Sequence, residues 1–459
     1  MYYLSTRNNK LEESFENILF QGLSKEGGLF LPAVWPKINL NEIDNKNYEE
    51  IALQIISPYI KQTLSDENLK KIIDQTYKNF RKKNIAPLVK IDNNKYILEL
   101  FHGPTFAFKD YALQFLGNLI SSFLENKNKK ITILGATSGD TGSAAINAFK
   151  GKNEVEVFIL HPFEKVSKVQ RLQMTTVEDS NIHNLAIRGN FDDCQKIVKK
   201  LFVDEEIQSK TTLTAINSIN WVRIISQTVY YFWSFAQLDE KTKKNGLSFI
   251  VPSGNFGNIF SARVAKYMGL PINNLHVVTN ENDILNKTIN SGLMKIDKVK
   301  QTYSPSMDIQ VSSNFERQLF ESFNRDSNQL VKLMNFFSEN GYQTLPPSII
   351  ADIKKHYKAY TVSDLEILNT IKLFNEKYKY LADPHTATGL KILEDMNDSN
   401  INISLACAHP AKFRNAIKKA IGKDPIFPKD LENIFDKKEK MTILNNDLNE
   451  IKNHILNKI

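Results

Sequence analysis

The 459-residue chain has few of the residues that form disulfide or metal frameworks. It contains two cysteines, Cys194 and Cys407, which lie far apart in the sequence. This scarcity argues against a disulfide framework and is compatible with a reducing cytoplasm. The eight histidines show no metal-ligand spacing with the cysteines. We therefore expect a cytoplasmic protein without a metal centre.

Long hydrophobic runs and blocks of one charge are also absent. No uninterrupted apolar run approaches membrane-spanning length, and the segment 1–7 lacks a charged-then-apolar signal pattern. The net charge of +8 arises from 59 basic and 51 acidic residues spread along the chain. The sequence therefore predicts neither a membrane nor a nucleic-acid partner. The modest positive bias favours an anionic substrate.

The remaining composition, with 42% hydrophobic residues, is that of a globular protein, and 459 residues are enough for two or three domains. Up to about residue 87, apolar spacing predicts mostly helix. Strands and helices then alternate, which indicates parallel sheets covered by helices. Helix dominates again from residue 300, and the charged tail beyond residue 423 is predicted to be helical and peripheral. Strands are predicted at 96–101, 131–134, 154–160, 182–187, 213–216, 247–251 and 401–407. The predicted domains are 1–90, 91–240 and 241–459.

Lys109 lies where a predicted strand gives way to a predicted helix. Gly103 and Pro104 end the strand, and Phe106 and Phe108 precede the lysine. Burial among aromatic rings and the positive end of a helix dipole both favour a neutral amine. A neutral amine can bond to an aldehyde and later move protons. The alternative is that Lys109 extends to water and has no chemical role.

Gly254, Asn255, Phe256, Gly257 and Asn258 follow one predicted strand and open the next helix. Backbone N–H groups at a helix start have no partner within the helix, and the dipole favours an anion there. The glycines let the backbone fold closely around such an anion. The turn is therefore a candidate phosphate site, although it matches neither a Walker loop nor Gly-x-Gly-x-x-Gly. An ordinary strand-to-helix turn is the alternative.

A second glycine turn covers residues 135–142 and holds three of the eighteen glycines. Its hydroxyl groups and its helix-start N–H groups suit a carboxylate or another phosphate. The side chains concerned are Thr137, Ser138 and Thr141. Asp140 opposes an anion unless it caps the helix or is paired. Helix capping by the threonines and the aspartate is the alternative.

A reactive lysine and two anion-binding turns in one chain point to a cofactor that carries both an aldehyde and a phosphate. Pyridoxal phosphate has both groups. It would use the lysine and one turn, and a substrate carboxylate would use the other.

These stretches together resemble the threonine synthase family, which has the fold-type II architecture of pyridoxal-phosphate enzymes. Residues 101–110 resemble the segment that binds the cofactor aldehyde, 135–142 the substrate loop and 254–258 the cofactor-phosphate loop. The likeness continues in order along nearly the whole chain, at 5–7, 27–29, 161–162, 166–170, 217–223, 305–317, 383–387 and 408–413.

The resemblance implies an α/β enzyme with two parallel-sheet domains covered by helices, a mainly helical N-terminal domain and a site between the two larger domains. It also implies the reaction of O-phospho-L-homoserine with water to give L-threonine and phosphate, by γ-elimination and β-addition of water. Lys109 would carry pyridoxal phosphate and act as the general base. The expected assembly is a monomer or a homodimer.

Other roles implied by the resemblance fall on single residues. Gly254, Asn255, Phe256, Gly257 and Asn258 would hold the cofactor phosphate. Thr137, Ser138, Asp140 and Thr141 would face the substrate, and Arg223 would bind its phosphate or else form a structural ion pair. At the pyridine nitrogen the family usually has Thr-Ala-His-Pro, whereas this chain has Cys407-Ala408-His409-Pro410. A thiol is a weaker hydrogen-bond donor than a hydroxyl.

Two other functions remain open. A related phospho-lyase would release phosphate but deaminate the product to 2-oxobutanoate, and the motifs do not separate the two outcomes. A catalytically idle binding scaffold would keep the fold alone, and the presence of Lys109 and both glycine turns counts against it.

Overall fold

The structure is a computed structural model that describes residues 1–125, 127, 129–137, 139–215 and 217–459. The strands are β1 (Tyr3–Ser5), β2 (Asn8–Glu13), β3 (Phe30–Pro32), β4 (Leu88–Asp92), β5 (Lys95–Glu99), β6 (Ile131–Ala136), β7 (Val155–Pro162), β8 (Ile182–Arg188), β9 (Thr212–Ala215), β10 (Leu247–Pro252), β11 (Ile272–Thr279), β12 (Leu293–Lys295), β13 (Tyr342–Thr344), β14 (Tyr357–Thr361), β15 (Ile401–Ala406) and β16 (Thr442–Asn445).

The helices are α1 (Phe15–Gln21), α2 (Tyr48–Ile60), α3 (Asp66–Tyr77), α4 (Lys109–Glu125), α5 (Asp140–Phe149), α6 (Lys168–Thr175), α7 (Phe191–Phe202), α8 (Glu205–Lys210), α9 (Trp221–Ala236), α10 (Glu240–Lys243), α11 (Gly257–Tyr267), α12 (Ile284–Ser291), α13 (Phe315–Ser322), α14 (Ser327–Asn340), α15 (Pro347–Lys354), α16 (Asp364–Lys377), α17 (Pro384–Asp395), α18 (Arg414–Ile421), α19 (Lys429–Glu432) and α20 (Leu448–Leu456). Short 3₁₀ helices span Leu40–Glu42, Pro305–Met307 and Pro410–Phe413.

The chain forms two compact units, each made of two segments. Unit 1 contains Met1–His102 and Ser218–Pro425, and unit 2 contains Gly103–Asn217 and Ile426–Ile459. The three domain ranges that we expected from the sequence stay a prediction.

Unit 1 is built on a six-stranded sheet in the order β14-β11-β10-β15-β5-β4. All neighbouring strands are parallel except β4, which runs antiparallel to β5 at the edge. The central strand β10 is buried along its whole length, as expected for a strand covered on both faces. Side chains of α16 and α17 pack with those of the sheet in one apolar core that includes Ile250, Ile371 and Leu390.

The N-terminal part of unit 1 is helical where the sequence predicted helices. Asn47 caps α2 in a capping box with Glu50, and Ser65 caps α3. This part also holds a small antiparallel sheet in the order β2-β1-β3 that the sequence did not reveal.

Unit 2 is built on a five-stranded parallel sheet in the order β16-β8-β7-β6-β9. The alternation of strand and helix predicted for this region is confirmed. The predicted strand at 213–216 is found as β9, and Ile216 lies outside the described residues.

The prediction of a peripheral tail was wrong, and the tail is helical only in part, at α19 and α20. Residues 442–445 form β16, which pairs in parallel with β8, and α20 follows it. Leu444, Ile451 and Ile455 are buried in the core of unit 2 beside Ile187 and Leu201. The C-terminal segment therefore completes the sheet instead of lying on its surface.

Candidate active site

Lys109 is the first residue of α4, at the helix start predicted from the sequence. Its side chain is 9% exposed, and Nζ lies 5.1 Å from the centroid of the Phe108 ring. The same Nζ lies 3.5 Å from Oδ2 of Asp140, the first residue of α5. Burial favours a neutral amine, whereas the carboxylate attracts the ammonium form. The structure therefore places a second, opposing influence on Lys109 that sequence reasoning did not include.

The turn before Lys109 is fixed by Asp110. The backbone N–H and the hydroxyl of Thr105 donate to the two carboxylate oxygens of Asp110, at 2.8 and 2.7 Å. A Cβ on Gly103 would lie 2.4 Å from the Asp110 Cβ, so only glycine fits there. Phe106 has φ +60°, in the left-handed region. These contacts set the direction in which α4 starts and hence the position of Lys109.

The second glycine turn is held by its own hydroxyl and by a glutamine from α6. Thr137 Oγ1 accepts hydrogen bonds from the N–H groups of Gly139 and Gly142, at 3.0 and 2.9 Å. Gln170 Nε2 donates to Asp140 Oδ1 at 2.8 Å. Gly139 has φ +146°, and a Cβ there would lie 2.5 Å from the Gln170 Cδ. Asp140 is therefore paired on both oxygens, which is the condition under which it tolerates a nearby anion.

The structure places three of the four predicted substrate residues of this turn. Thr137 and Asp140 are buried in the turn beside Lys109, and Thr141 follows in the first turn of α5 with intermediate exposure. Ser138 lies outside the described residues. Sequence reasoning did not assign a role to Gln170, although the segment 166–170 was part of the family resemblance.

The candidate phosphate turn belongs to unit 1 and joins β10 to α11. The oxygens of Gly254 and Asn255 accept hydrogen bonds from the Ser312 hydroxyl at 2.7 Å and the Asn314 N–H at 3.1 Å. Within the described residues, the N–H groups of residues 254–258 donate to no acceptor. Phe256 adopts φ +61° and is buried. The carbonyl groups of the turn are thus hydrogen-bonded within the protein, whereas its N–H groups remain available to an anion.

Asn258, in the first turn of α11, adds a side-chain donor to this turn. The hydroxyl groups of Tyr230 and Tyr231 both donate to Asn258 Oδ1, the second at 2.8 Å. This fixes the orientation of the amide. Its Nδ2 is buried and has no partner in the part of the chain that the structure describes. A bound acceptor would satisfy it.

Arg223, near the start of α9 in unit 1, is 4% exposed. Its Nε and Nη1 are buried and have no hydrogen-bond partner among the described residues. Burial lowers the pKa of Arg223 to about 10, so it still carries a positive charge at neutral pH. The structural ion pair considered as an alternative is not found among the described residues. A buried guanidinium without an acceptor is costly, and an anionic ligand would remove that cost.

Cys407 directly follows β15 and is buried. Its N–H donates to the Thr386 hydroxyl at 2.8 Å, and its Sγ lies 3.9 Å from the Leu405 oxygen. Thr386 in turn donates to Asp383, which also accepts from the Ala408 N–H at 3.3 Å. Asp383 therefore fixes the backbone around Cys407.

The same aspartate supports the phosphate turn through a histidine. The other Asp383 oxygen lies 2.9 Å from His385 Nδ1, and His385 Nε2 accepts from the Ser306 N–H at 3.1 Å. A Cβ on Gly254 would lie 3.3 Å from the Ser306 oxygen, so this segment lies directly behind the turn. Sequence reasoning included the segment 383–387 only as part of the resemblance and missed this connection.

The described residues form neither a metal-binding cluster nor a membrane-spanning helix. No group of three or more His, Cys, Asp or Glu side chains is arranged to hold a metal ion. No helix in the described ranges combines the length and the apolar character needed to cross a bilayer.

Comparisons with known protein families match most of the chain. A model described as pyridoxal-phosphate dependent enzyme matches residues 83–337. Models described as threonine synthase N terminus and threonine synthase, C-terminal, match residues 2–77 and 386–455.

Individual relatives match over nearly the full length. The threonine synthase of Pseudomonas aeruginosa is 41% identical over 457 residues, which cover 98% of this chain and 97% of the relative. The threonine synthase of Saccharomyces cerevisiae is 42% identical, and the alignment covers 99% of this chain and 97% of the relative. Among solved structures, a pyridoxal-phosphate-bound threonine synthase from Brucella melitensis superimposes with a TM-score of 0.96 at 41% identity and covers 100% and 99%.

Proposed function

The chain belongs to the threonine synthase family of pyridoxal-phosphate-dependent lyases, and from this premise we propose that it converts O-phospho-L-homoserine and water into L-threonine and phosphate. The observation that carries the choice of substrate is Arg223, a buried guanidinium whose Nε and Nη1 have no acceptor among the described residues. Arginine binds phosphate through two parallel hydrogen bonds, so a phosphorylated substrate satisfies this group.

The residues present fit the cofactor. Lys109 offers a buried primary amine for its aldehyde, and the turn of Gly254, Asn255, Phe256, Gly257 and Asn258 offers backbone donors for its phosphate. Cys407 is the proposed neighbour of the pyridine nitrogen. When bound, pyridoxal phosphate takes up the electron pair that remains when a proton leaves the substrate.

Lys109 performs the proton transfers in this proposal. Its amine removes the proton from the substrate Cα and carries further protons as the reaction proceeds. Asp140, 3.5 Å from Nζ, holds the amine in place, and Gln170 holds Asp140. Lys109 and Asp140 belong to the same unit and start two adjacent helices, so this pair keeps its geometry without help from a ligand.

The substrate carboxylate is assigned to the second glycine turn. Thr137, Ser138 and Thr141 supply hydroxyl groups there, and the start of α5 supplies a positive dipole end. Arg223 is assigned to the substrate phosphate. In the overall reaction a proton leaves Cβ, the bond between Cγ and the phosphate oxygen breaks, and phosphate leaves. Water then supplies the hydroxyl group at Cβ and gives its other proton to phosphate or the medium, and a proton is added at Cγ.

The role of Lys109 is tested by comparing the wild-type protein with Lys109→Ala. We expect the variant to lose the visible absorbance of the covalently linked cofactor and to release phosphate from O-phospho-L-homoserine about 10³-fold more slowly or worse. Lys150→Ala, at an exposed site after α5, is the matched control and should behave as wild type. A persistent visible band and unchanged phosphate release in Lys109→Ala would exclude Lys109 as the attachment site.

We further propose that the protein acts in the cytoplasm, as its scarcity of cysteine favours, and that it is a monomer or a homodimer. Sedimentation at micromolar concentration distinguishes the two states. A higher oligomer would contradict the proposal.

A further inference from the structure

A cavity of about 520 Å³ lies in unit 1 between α11, α13 and α15. Its volume suits a small ligand. None of the residues around it has a role in the proposed reaction. Its lining includes Arg263, Tyr267, Glu321, Ser322, Ile349 and Asp352.

Arg263 is the cation of this cavity and is held in a fixed orientation. It is 7% exposed, and its Nε is buried without a hydrogen-bond partner among the described residues. Its Cζ lies 4.2 Å from the centroid of the Tyr267 ring, which stacks on Trp35 at 4.9 Å with an angle of 8°. Burial raises the pKa of Tyr267 to about 12, so the phenol is uncharged. The stack thus presents a preorganised guanidinium to the cavity.

Asp352 is the carboxylate that remains available. Glu321 already accepts from Arg325, whose Nε lies 2.9 Å from Oε1. Asp352 Oδ2 accepts from the Ser322 hydroxyl at 2.9 Å, but Oδ1 has only Lys355 Nζ at 3.9 Å as a charged neighbour. In the described ranges no ion pair joins Arg263 to either carboxylate. Arg263 and Asp352 therefore face the same cavity without forming an ion pair, whereas the second carboxylate, Glu321, is already paired with Arg325.

This pair of charges selects a class of ligand. A simple anion would satisfy Arg263 but would also meet two carboxylates, and a simple cation would meet the guanidinium. A molecule that carries an ammonium group and a carboxylate on the same carbon atom offers a partner to both groups. The side chain of Ile349 adds an apolar wall for a small substituent. We propose that the cavity binds a small α-amino acid, with its carboxylate on Arg263 and its ammonium group on Asp352.

The test uses holoenzyme in which borohydride has reduced the bond between the cofactor and the protein. The reduced cofactor can no longer exchange with an added amine, so covalent capture of the amino acid at the candidate active site is removed. Titration calorimetry with L-alanine and with glycine should show one saturable site per chain. Propionate, which lacks the ammonium group, and ethylamine, which lacks the carboxylate, should each bind at least tenfold more weakly.

Two variants assign the binding to this cavity. Arg263→Met and Asp352→Asn should each weaken L-alanine binding at least tenfold, whereas Arg188→Met, at an exposed site in unit 2, should leave it unchanged. Circular dichroism and phosphate release by the unreduced variants report whether they fold. If Arg263→Met does not fold, Asp352→Asn carries the test. No saturable binding, equal binding of propionate, or unchanged affinity in the folded variants would overturn the proposal, and none of these results bears on the proposed reaction.

Discussion

Arg223 and Arg317 are both buried arginines of unit 1, yet only one of them is satisfied by the protein. Arg317 donates to the oxygens of Phe30 at 3.0 Å and Ile219 at 2.6 Å, and also to Asn314. Arg223 has no such acceptors for Nε and Nη1 among the described residues. A structural arginine and one that awaits a ligand are therefore distinguished by their hydrogen bonds and not by their burial.

This contrast predicts opposite effects of the same substitution. Without phosphate ligands, Arg223→Met should raise the free energy of unfolding by about 1–3 kcal/mol, because it removes an unsatisfied buried charge. It should also abolish binding of the phosphorylated substrate. Arg317→Met should lower the free energy of unfolding by a similar amount, because it leaves buried carbonyl groups without donors. Urea unfolding measures the change in stability of both variants.

The prediction fails if Arg223→Met destabilises the protein as much as Arg317→Met does. That result would mean that Arg223 is satisfied within the folded chain and is not held in reserve for an anion.

Strand β16 and helix α20 show how far a short sequence pattern can be misread. The residues Thr442 to Asn445 are too few for a clear strand signal, and charged residues surround them. Their pairing with β8 joins positions far apart in the chain, such as Thr442 and Leu185. The strand forms because β8, which would otherwise be the edge of the sheet, can pair with it. Local periodicity in the sequence does not indicate such a distant pairing.

Burial of this C-terminal segment can be tested directly. Ile451→Ala should lower the free energy of unfolding by about 2–5 kcal/mol, since Ile451 is fully buried in the core of unit 2. Ile426→Ala is the matched control, because Ile426 is 88% exposed, and it should change stability by less than about 0.5 kcal/mol. Similar small effects in both variants would show that the C-terminal segment is peripheral, as the sequence predicted.

At the candidate site, sequence patterns predicted the local features and missed the distant ones. The start of α4 at Lys109 and the glycine turn before α11 depend on neighbouring residues, and the sequence predicted both. The support that Gln170 gives to Asp140, and Asp383 to the Cys407 segment, depends on contacts across the fold. Glutamine and aspartate are common in many roles, so nothing in their local sequence indicated these contacts.

At the scale of the whole molecule, four histidines make the stability sensitive to acid: His161 and His276 are buried, and His356 and His409 are partly buried. Burial lowers the pKa of His161, His276, His356 and His409 to about 4, against an ordinary value of 6.5. Between these two values the unfolded chain binds more protons than the folded chain, so stability falls as pH decreases from about 6.5 to about 4.

We expect the free energy of unfolding to drop by several kcal/mol across this interval, at about 1.4 kcal/mol per pH unit for each histidine at most. Urea unfolding at a series of pH values measures how the free energy of unfolding depends on pH. In His161→Gln, the number of protons taken up on unfolding should be smaller by about one. A stability that stays flat between pH 6.5 and 4.5 would show that these histidines are not held neutral by burial.

In the proposed reaction, phosphate leaves by cleavage of the bond to Cγ and water adds at Cβ. The direct measurement is the reaction of cofactor-loaded protein with O-phospho-L-homoserine in water enriched in oxygen-18, followed by mass spectrometry of all products. We expect equal amounts of L-threonine and phosphate, with one heavy oxygen in the threonine hydroxyl group and none in the phosphate. Unlabelled phosphate with 2-oxobutanoate would indicate the phospho-lyase. Labelled phosphate with homoserine would indicate simple hydrolysis of the phosphate ester. Either result would exclude the proposed reaction.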